Sequence, residues 1–184
     1  MKSPPLSVLD LVPVPSGGSS AESARRTVEL AQLAERLGYV RYWFAEHHGM
    51  PSVASSAPEV LIAHVAAHTR MLRVGSGGVM LPNHPPLRVA EAFRTLEALY
   101  PGRIDLGLGR APGSDANASR ALRAVGGEHF PDLLAELLVW AGRTELPPDH
   151  PMRSLRAMPD DAPLLRIWLL GSSGASARMA GAPA

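Results

Sequence analysis

The stretch LRVGSGGVMLPNHPPLRVAEAFRTLEALYPGRIDLGLG, residues 72–109, contains one complete strand–helix–strand unit. Leu72–Met80 and Arg103–Leu108 are mostly apolar runs of strand length, which predicts two β-strands. Between them, Pro85–Pro86 opens a segment whose apolar residues recur at helical spacing, and Pro101–Gly102 ends it. Strands joined by a helix in this way are predicted to lie parallel in one sheet.

The same unit repeats along the chain. Ser19 and Ser56 each stand three residues before a glutamate, and each pair predicts a capping box at the start of a helix. The predicted strands outside residues 72–109 are Leu6–Val14, Val40–Ala45 and Leu164–Leu170. The further predicted helical segments follow Ser19, Ser56 and Gly171 and cover about 118–125 and 131–141. Five alternations of strand and helix predict an α/β fold with parallel strands, either a doubly wound sheet or a barrel.

Composition limits the possible classes of protein. The 184 residues fit a single domain, 1–184, and the net charge of +1 with no basic block gives no support for nucleic acid or a membrane surface as a partner. The absence of cysteine excludes disulfides and thiolate metal sites. No apolar stretch approaches the ~20 residues of a membrane span, and Asp10 interrupts the apolar run near the N-terminus. These features predict a cytoplasmic location.

Polar and glycine-rich residues cluster where four predicted strands end. The clusters are Glu46-His47-His48, Ser76-Gly77-Gly78, Gly107–Gly113 and Gly171–Ser176. In both candidate folds the ligand lies at the carboxyl ends of the strands, so these clusters are predicted to form one site.

The first two clusters each allow two interpretations. Adjacent strand residues point to opposite faces, so at most one of His47 and His48 can point directly into a site. A histidine there can transfer a proton near neutral pH, whereas the alternative is a surface pair. Gly77 and Gly78 indicate either a β-bulge or a flat ligand close to bare backbone.

The other two clusters also allow alternatives. Gly107–Gly113 is not a dinucleotide fingerprint, because Pro112 stands where the third glycine belongs. Arg110 can hold an anion or a reduced flavin ring, or form a surface ion pair. Gly171–Ser176 joins a strand to a helix N-terminus, which suits either a phosphate or a simple serine cap.

A metal site is the competing chemical hypothesis. His64 and His68 lie one helical turn apart, a spacing that can bind zinc. They belong to an apolar helix without an HExxH pattern, so histidines that pack or remain partly exposed are the favoured interpretation. We therefore predict no metal.

Taken together, the motifs resemble the luciferase-like flavin monooxygenase family, which includes bacterial luciferase. The resemblance implies a TIM (β/α)8 barrel and a reduced FMN cofactor, with a deazaflavin as the alternative. The segments that carry it are AEHH at 45–48, SSAPEVLIAHVA at 55–66, VGSGGVMLPNHPP at 74–86, LYPGRIDLGLGRAPG at 99–113 and IWLLGSS at 167–173.

The resemblance also implies roles for individual residues. His47 matches the catalytic histidine, and Glu46 matches the buried acid beside it. Gly77 and Gly78 match the position of a non-proline cis peptide beneath the flavin ring. The remaining cofactor-binding residues that it implies are Gly109 and Arg110 beside the ring, and Ser172, Ser173 and Ser176 at the phosphate.

The implied reaction is oxygenation of a small organic substrate by dioxygen, with reduced flavin supplied by a separate flavin reductase and with His47 assisting proton transfer. A complete barrel of this type needs roughly 250 residues, so the chain corresponds to about the first five β/α units. Two other hypotheses remain open. One is a truncated, inactive remnant that binds flavin weakly or acts only by association with a full-length paralogue, and the other is a deazaflavin-dependent oxidoreductase. The expected protein partners are a second copy of the chain, in a homo-oligomer, or a paralogue.

Overall fold

The computed structural model describes residues 4–111, 113–164, 166–171 and 174–181. Its strands form one parallel sheet in the order β1-β2-β3-β4-β5, so each strand lies beside the next one in the chain. In a doubly wound sheet the strand order reverses at a switch point, whereas in a barrel each strand lies beside the next strand of the chain. The strand order is therefore that of a barrel. The strands are β1 Ser7–Asp10, β2 Arg41–Phe44, β3 Arg73–Met80, β4 Ile104–Gly109 and β5 Ile167–Leu169.

Helices follow the strands as the sequence predicts. They are α1 Ser20–Arg36, α2 Pro58–His68, α3 Pro86–Leu99, α4 Ala116–Ala121, α5 Phe130–Trp140 and α6 Gly174–Gly181, with single 3-10 turns at Leu81–Asn83 and Gly127–His129. In the described part of the chain, none of these helices has the length and apolar character that crossing a membrane requires.

The two predicted capping boxes have different outcomes. Ser19 caps α1 and accepts a hydrogen bond from the backbone N–H of Glu22. The capping box predicted at Ser56 is wrong, because α2 begins one residue later than that pattern requires. Ala57 occupies the N-cap position, has no side-chain acceptor, and is followed by Pro58 in the first turn.

Two strands are shorter than predicted because side chains bind the adjoining backbone. β1 ends at Asp10, whose Oδ1 accepts from the N–H of Val12 at 2.7 Å, and Val12 has a positive φ of 52°. β5 begins only at Ile167, since the carbonyl of Leu164 accepts from the Arg143 guanidinium at 3.1 Å. These contacts remove residues from each predicted strand.

The sheet has two different faces. One face packs against the helices and carries the apolar core, which includes Tyr42, Phe44, Val74, Leu106 and Leu108 from the strands and Ile62, Val65, Val89, Phe93 and Leu137 from the helices. On the other face, the buried carboxylate of Asp105 accepts from Arg41 at 3.1 Å and from Arg73 at 2.7 and 2.8 Å. Trp43 and Trp168 meet edge to face beside this ion-pair cluster.

Candidate active site

Glu46 lies two residues after β2 and is fully buried. Its Oε1 accepts from the Nε2 atoms of His48 and His84, each at 2.8 Å, and from the Asn83 amide at 3.0 Å. Its Oε2 accepts from the backbone N–H of Met80 at 2.9 Å. The carboxylate of Glu46 therefore joins the end of β2 to the end of β3 and to the turn that follows it.

Glu46 and His84 form an ion pair. Burial opposes ionisation of Glu46, but the hydrogen bond and charge of His84, together with the Asn83 and His48 donors, outweigh it and hold the pKa of the carboxyl below its usual value. Burial likewise opposes protonation of His84. The hydrogen bond and charge of Glu46 outweigh that effect and raise the pKa of the imidazole. Each group thus favours the charged form of the other, a carboxylate on Glu46 and an imidazolium on His84.

His47 takes no part in the hydrogen bonds around Glu46. Its backbone N–H donates to the carbonyl of Ser55 at 2.9 Å, and the Ser55 hydroxyl donates to the carbonyl of Ala45. The ring is half-buried, and its buried Nδ1 has no hydrogen-bond partner among the described residues. A buried polar atom normally has a partner, so Nδ1 is available to a group that enters the site.

The carboxyl-terminal halves of β3 and β4 are rich in glycine. The peptide bond between Gly77 and Gly78 is cis, as the resemblance implies. A Cβ at Gly78 would lie 2.7 Å from the carbonyl oxygen of Gly107, and one at Gly109 would lie 2.6 Å from Sδ of Met80. A side chain at Gly78 would therefore collide with the β4 backbone, and the side chains of Trp43 and Leu170 already lie against the glycines of β3.

The loop after β4 packs against the end of β2. Gly113 has a φ of +62°, and its carbonyl accepts from the backbone N–H of His48 at 3.2 Å. A Cβ at Gly113 would lie 2.7 Å from the carbonyl oxygen of Glu46. Arg110 is exposed near the start of this loop and forms no ion pair within the described residues. The structure therefore brings together the ends of β2, β3 and β4.

The predicted phosphate-binding serines lie largely beyond what the structure describes. Ser172 and Ser173 fall outside the described residues, and Ser176 belongs to α6 with an undescribed side chain. The helix that would carry the phosphate site begins at Gly174, soon after β5. The phosphate site therefore stays a prediction.

The sequence reasoning missed Asn83 and His84. Both follow β3 directly, as Glu46 and the two adjacent histidines follow β2, so the same strand-end criterion could have selected them. His64 and His68, which suggested the competing metal site, are exposed. The Nδ1 of His68 lies 2.7 Å from the carbonyl oxygen of His64, and the two rings pack against each other.

The chain matches known proteins along nearly its whole length. The family model described as luciferase-like monooxygenase matches residues 5–184. A luciferase-like monooxygenase of Escherichia coli strain K12 is 51% identical over 95% of this chain and 51% of its own length. The N-acetyl-S-alkylcysteine monooxygenase of Bacillus subtilis strain 168 is 44% identical over 94% of this chain and 52% of its own length. The chain thus spans about half the length of the curated relatives it matches.

Solved structures agree on the fold. Apo-MsnO8 has a TM-score of 0.82 at 45% identity, with 96% of this chain and 52% of that one covered. The oxygenating constituent of 3,6-diketocamphane monooxygenase from Pseudomonas putida, solved with FMN, has a TM-score of 0.77 at 19% identity, covering 96% and 54%. An F420-dependent secondary alcohol dehydrogenase has a TM-score of 0.70 at 15% identity, covering 97% and 56%. The five β/α units correspond to about half of these TIM-barrel proteins.

Proposed function

Because the chain belongs to the luciferase-like monooxygenase family, we propose that it binds FMN and acts as a monooxygenase on a small organic substrate, with dioxygen as the oxidant. The observation that carries this proposal is the buried, unpartnered Nδ1 of His47 at the edge where β2, β3 and β4 end. Ligands in parallel α/β folds lie at that edge, and a free ring nitrogen there suits proton transfer.

The residues present fit a flavin. The glycines of β3 and β4 carry no side chain near the strand ends, where a planar ring would approach the backbone closely. Arg110 is exposed near the same edge, where a guanidinium can favour the anionic reduced form of the ring. Ser172, Ser173 and Ser176 precede or open α6, and we expect them to donate hydrogen bonds to the phosphate.

When bound, reduced flavin would supply the electrons and the activation of dioxygen. The protein would hold the ring against the glycine strands, and His47 would hold or accept a proton at Nδ1. Glu46 would not contact the substrate, since its two carboxylate oxygens already accept four hydrogen bonds. We also propose that a separate reductase supplies the reduced flavin.

A titration of the purified chain with FMN, followed by flavin fluorescence, tests the proposal. We expect saturable quenching by FMN, with coenzyme F420 in a parallel titration to test the deazaflavin alternative. Tight binding of F420 with no binding of FMN would favour that alternative, and binding of neither would contradict the proposal. Size-exclusion chromatography with and without FMN tests whether binding accompanies association into an oligomer.

A substitution tests the role of His47. We expect His47→Ala to retain FMN affinity within about threefold but to lose substrate oxygenation in an assay that includes a flavin reductase. His68→Ala is the matched control, because His68 is an exposed histidine on α2. Equal oxygenation by His47→Ala and the control would remove His47 from its proposed role.

A further inference from the structure

We propose that His84 is a positioning residue for His47, and that it acts through its ion pair with Glu46. The inference rests on the proposed function in one respect, which is that the proposed function assigns proton transfer to His47. Within the described residues, His84 forms no hydrogen bond with Nδ1 of His47. Its contact is with Oε1 of Glu46, the residue next to His47 in the chain.

The backbone around His84 is well fixed. His84 follows the 3-10 turn Leu81–Asn83, and its N–H donates to the carbonyl of Leu81 at 3.1 Å. Pro85 and Pro86 come next and begin α3, and each proline restricts its own backbone angle φ. His84 is thus anchored on β3 and α3, whereas His47 stands on the segment after β2. The hydrogen bond to Glu46 connects the two.

When protonated, His84 is a cation that balances the buried charge of Glu46, and the contact with Glu46 raises its pKa. The other described donors to this carboxylate are the Asn83 amide, the Met80 N–H and the His48 ring. A buried carboxylate that loses its cationic partner is strongly destabilised. Loss of the His84 charge therefore weakens the hydrogen bonds by which the Glu46 carboxylate holds residues 46–48 against β3.

Charges on the neighbouring elements tune this pair. Glu59 of α2 faces His84 and favours its protonation, whereas Arg88 of α3 opposes it. The three side chains line one small cavity behind β3. His48, from the same side as Glu46, shares the acceptor oxygen Oε1 with His84. The protonation state of His84 is thus set by residues of α2, α3 and the end of β2.

The pH range of the pair follows from the direction of each shift. The contribution of His84 is complete below its ordinary pKa of 6.5 and is lost as pH rises through the raised value. The contribution of Glu46 is complete above its ordinary pKa of 4.5 and is lost as pH falls through the lowered value. The pair is therefore fully formed between pH 4.5 and 6.5, and it weakens above that range as His84 loses its proton.

Long-range nitrogen–proton NMR of the histidine rings tests the proposal on the wild-type chain. We expect His84 to stay an imidazolium to a pH above 6.5, and the His47 ring signals to change over the same pH interval. His47 signals that are indifferent to the His84 titration would overturn the proposal. This measurement needs neither a variant nor bound flavin.

Variants extend the test. In His84→Gln, we expect the His47 signals to lose the pH step that coincides with His84 in the wild type. In Glu46→Gln, we expect the His84 midpoint to fall to 6.5 or lower, because the stabilising charge is gone. His68→Gln, a change at an exposed histidine, is the control and should leave both results unchanged. If the His47 signals of His84→Gln still change at the pH where His84 titrates in the wild type, the proposal is contradicted.

An FMN titration separates failure of this inference from failure of the proposed function. If the wild type does not bind FMN, the proposed function fails, and the NMR result still decides whether His84 positions His47. If FMN binds equally well to wild type and His84→Gln while the His47 step is unchanged, the positioning role fails and the proposed function stands.

Discussion

The carboxylate of Glu46 and the backbone amide of Met80 are joined by a 2.9 Å hydrogen bond between residues 34 positions apart in the sequence. Glu46 comes just after β2, and Met80 is the last residue of β3. Backbone hydrogen bonds of the ladder already join β2 to β3. Here a buried side chain also fixes the two carboxyl ends at the edge where a ligand is expected.

Replacing Glu46 by glutamine should destabilise the protein by about 3 kcal/mol, because breaking a buried ion pair costs roughly that much. The amide would place a donor among the Asn83, His48 and His84 donors. Urea unfolding at pH 6 measures the change, since both charges of the pair are present there. Glu29→Gln on α1 is the control, because Glu29 is exposed. Equal losses in the two variants would contradict the role of Glu46.

Asp105 should make an acid-sensitive contribution to stability. Burial opposes its ionisation, but the hydrogen bonds and charge of Arg73, the Trp168 N–H and the Arg41 charge lower the pKa of the carboxyl below 3.8. Its stabilising effect is therefore present above pH 3.8 and is lost as pH falls through the lowered value. We expect Asp105→Asn to cost about 3 kcal/mol at neutral pH and to lose less stability on acidification than the wild type does.

Glu22→Gln is the matched control for Asp105. Glu22 forms an exposed ion pair with Arg26 one helical turn away at 2.6 Å. Exposed pairs of this kind contribute about 0.5 kcal/mol or less, so urea unfolding should hardly change. A similar effect of the two substitutions would mean that burial of the Asp105 cluster adds no stability.

Gly107→Ala should destabilise the sheet by about 1–3 kcal/mol, a typical cost of overpacking. A Cβ at this position would collide with the carbonyl oxygen of Ser76, a backbone atom that cannot move independently. Thermal unfolding followed by circular dichroism checks the loss. Gly181→Ala is the control, because a Cβ there meets no atom within 4 Å. An unchanged melting temperature in Gly107→Ala would contradict the close approach of β3 and β4.

Tyr42→Phe should cost about 2 kcal/mol, since hydrogen bonds to charged groups contribute roughly 1.5–3 kcal/mol. The Tyr42 hydroxyl donates to Oδ2 of Asp10 at 2.6 Å, and burial together with Asp10 raises the pKa of that hydroxyl above its usual range. Urea unfolding gives the difference. Tyr39→Phe is the control, because Tyr39 makes no side-chain hydrogen bond within the described residues, and equal effects would argue against the Asp10 contact.

The alternation of strands and helices could be predicted because each element has its own periodicity and its own start and stop residues. Element ends were less predictable where a side chain binds nearby backbone. Asp10 ends β1 through the N–H of Val12, and Arg143 takes the carbonyl of Leu164 before β5 begins. Local propensity contains no information on these contacts.

The candidate site was only partly predictable. Glu46, His47 and the cis peptide at Gly77–Gly78 follow from strand ends and from the resemblance. The central place of Glu46 could not be predicted, because its partner His84 is 38 residues away and the pairing depends on how β2 and β3 align. The choice between a doubly wound sheet and a barrel likewise required the strand order.

The strand order has a consequence for folding during synthesis. Each strand pairs with its predecessor, so every strand pairing joins two neighbouring units of the chain. Every described contact of Glu46 and His48 lies between residues 45 and 113, before β5 has been translated. Because chains fold from the N-terminus as they emerge from the ribosome, the hydrogen bonds around Glu46 can form on the nascent chain before β5 is made.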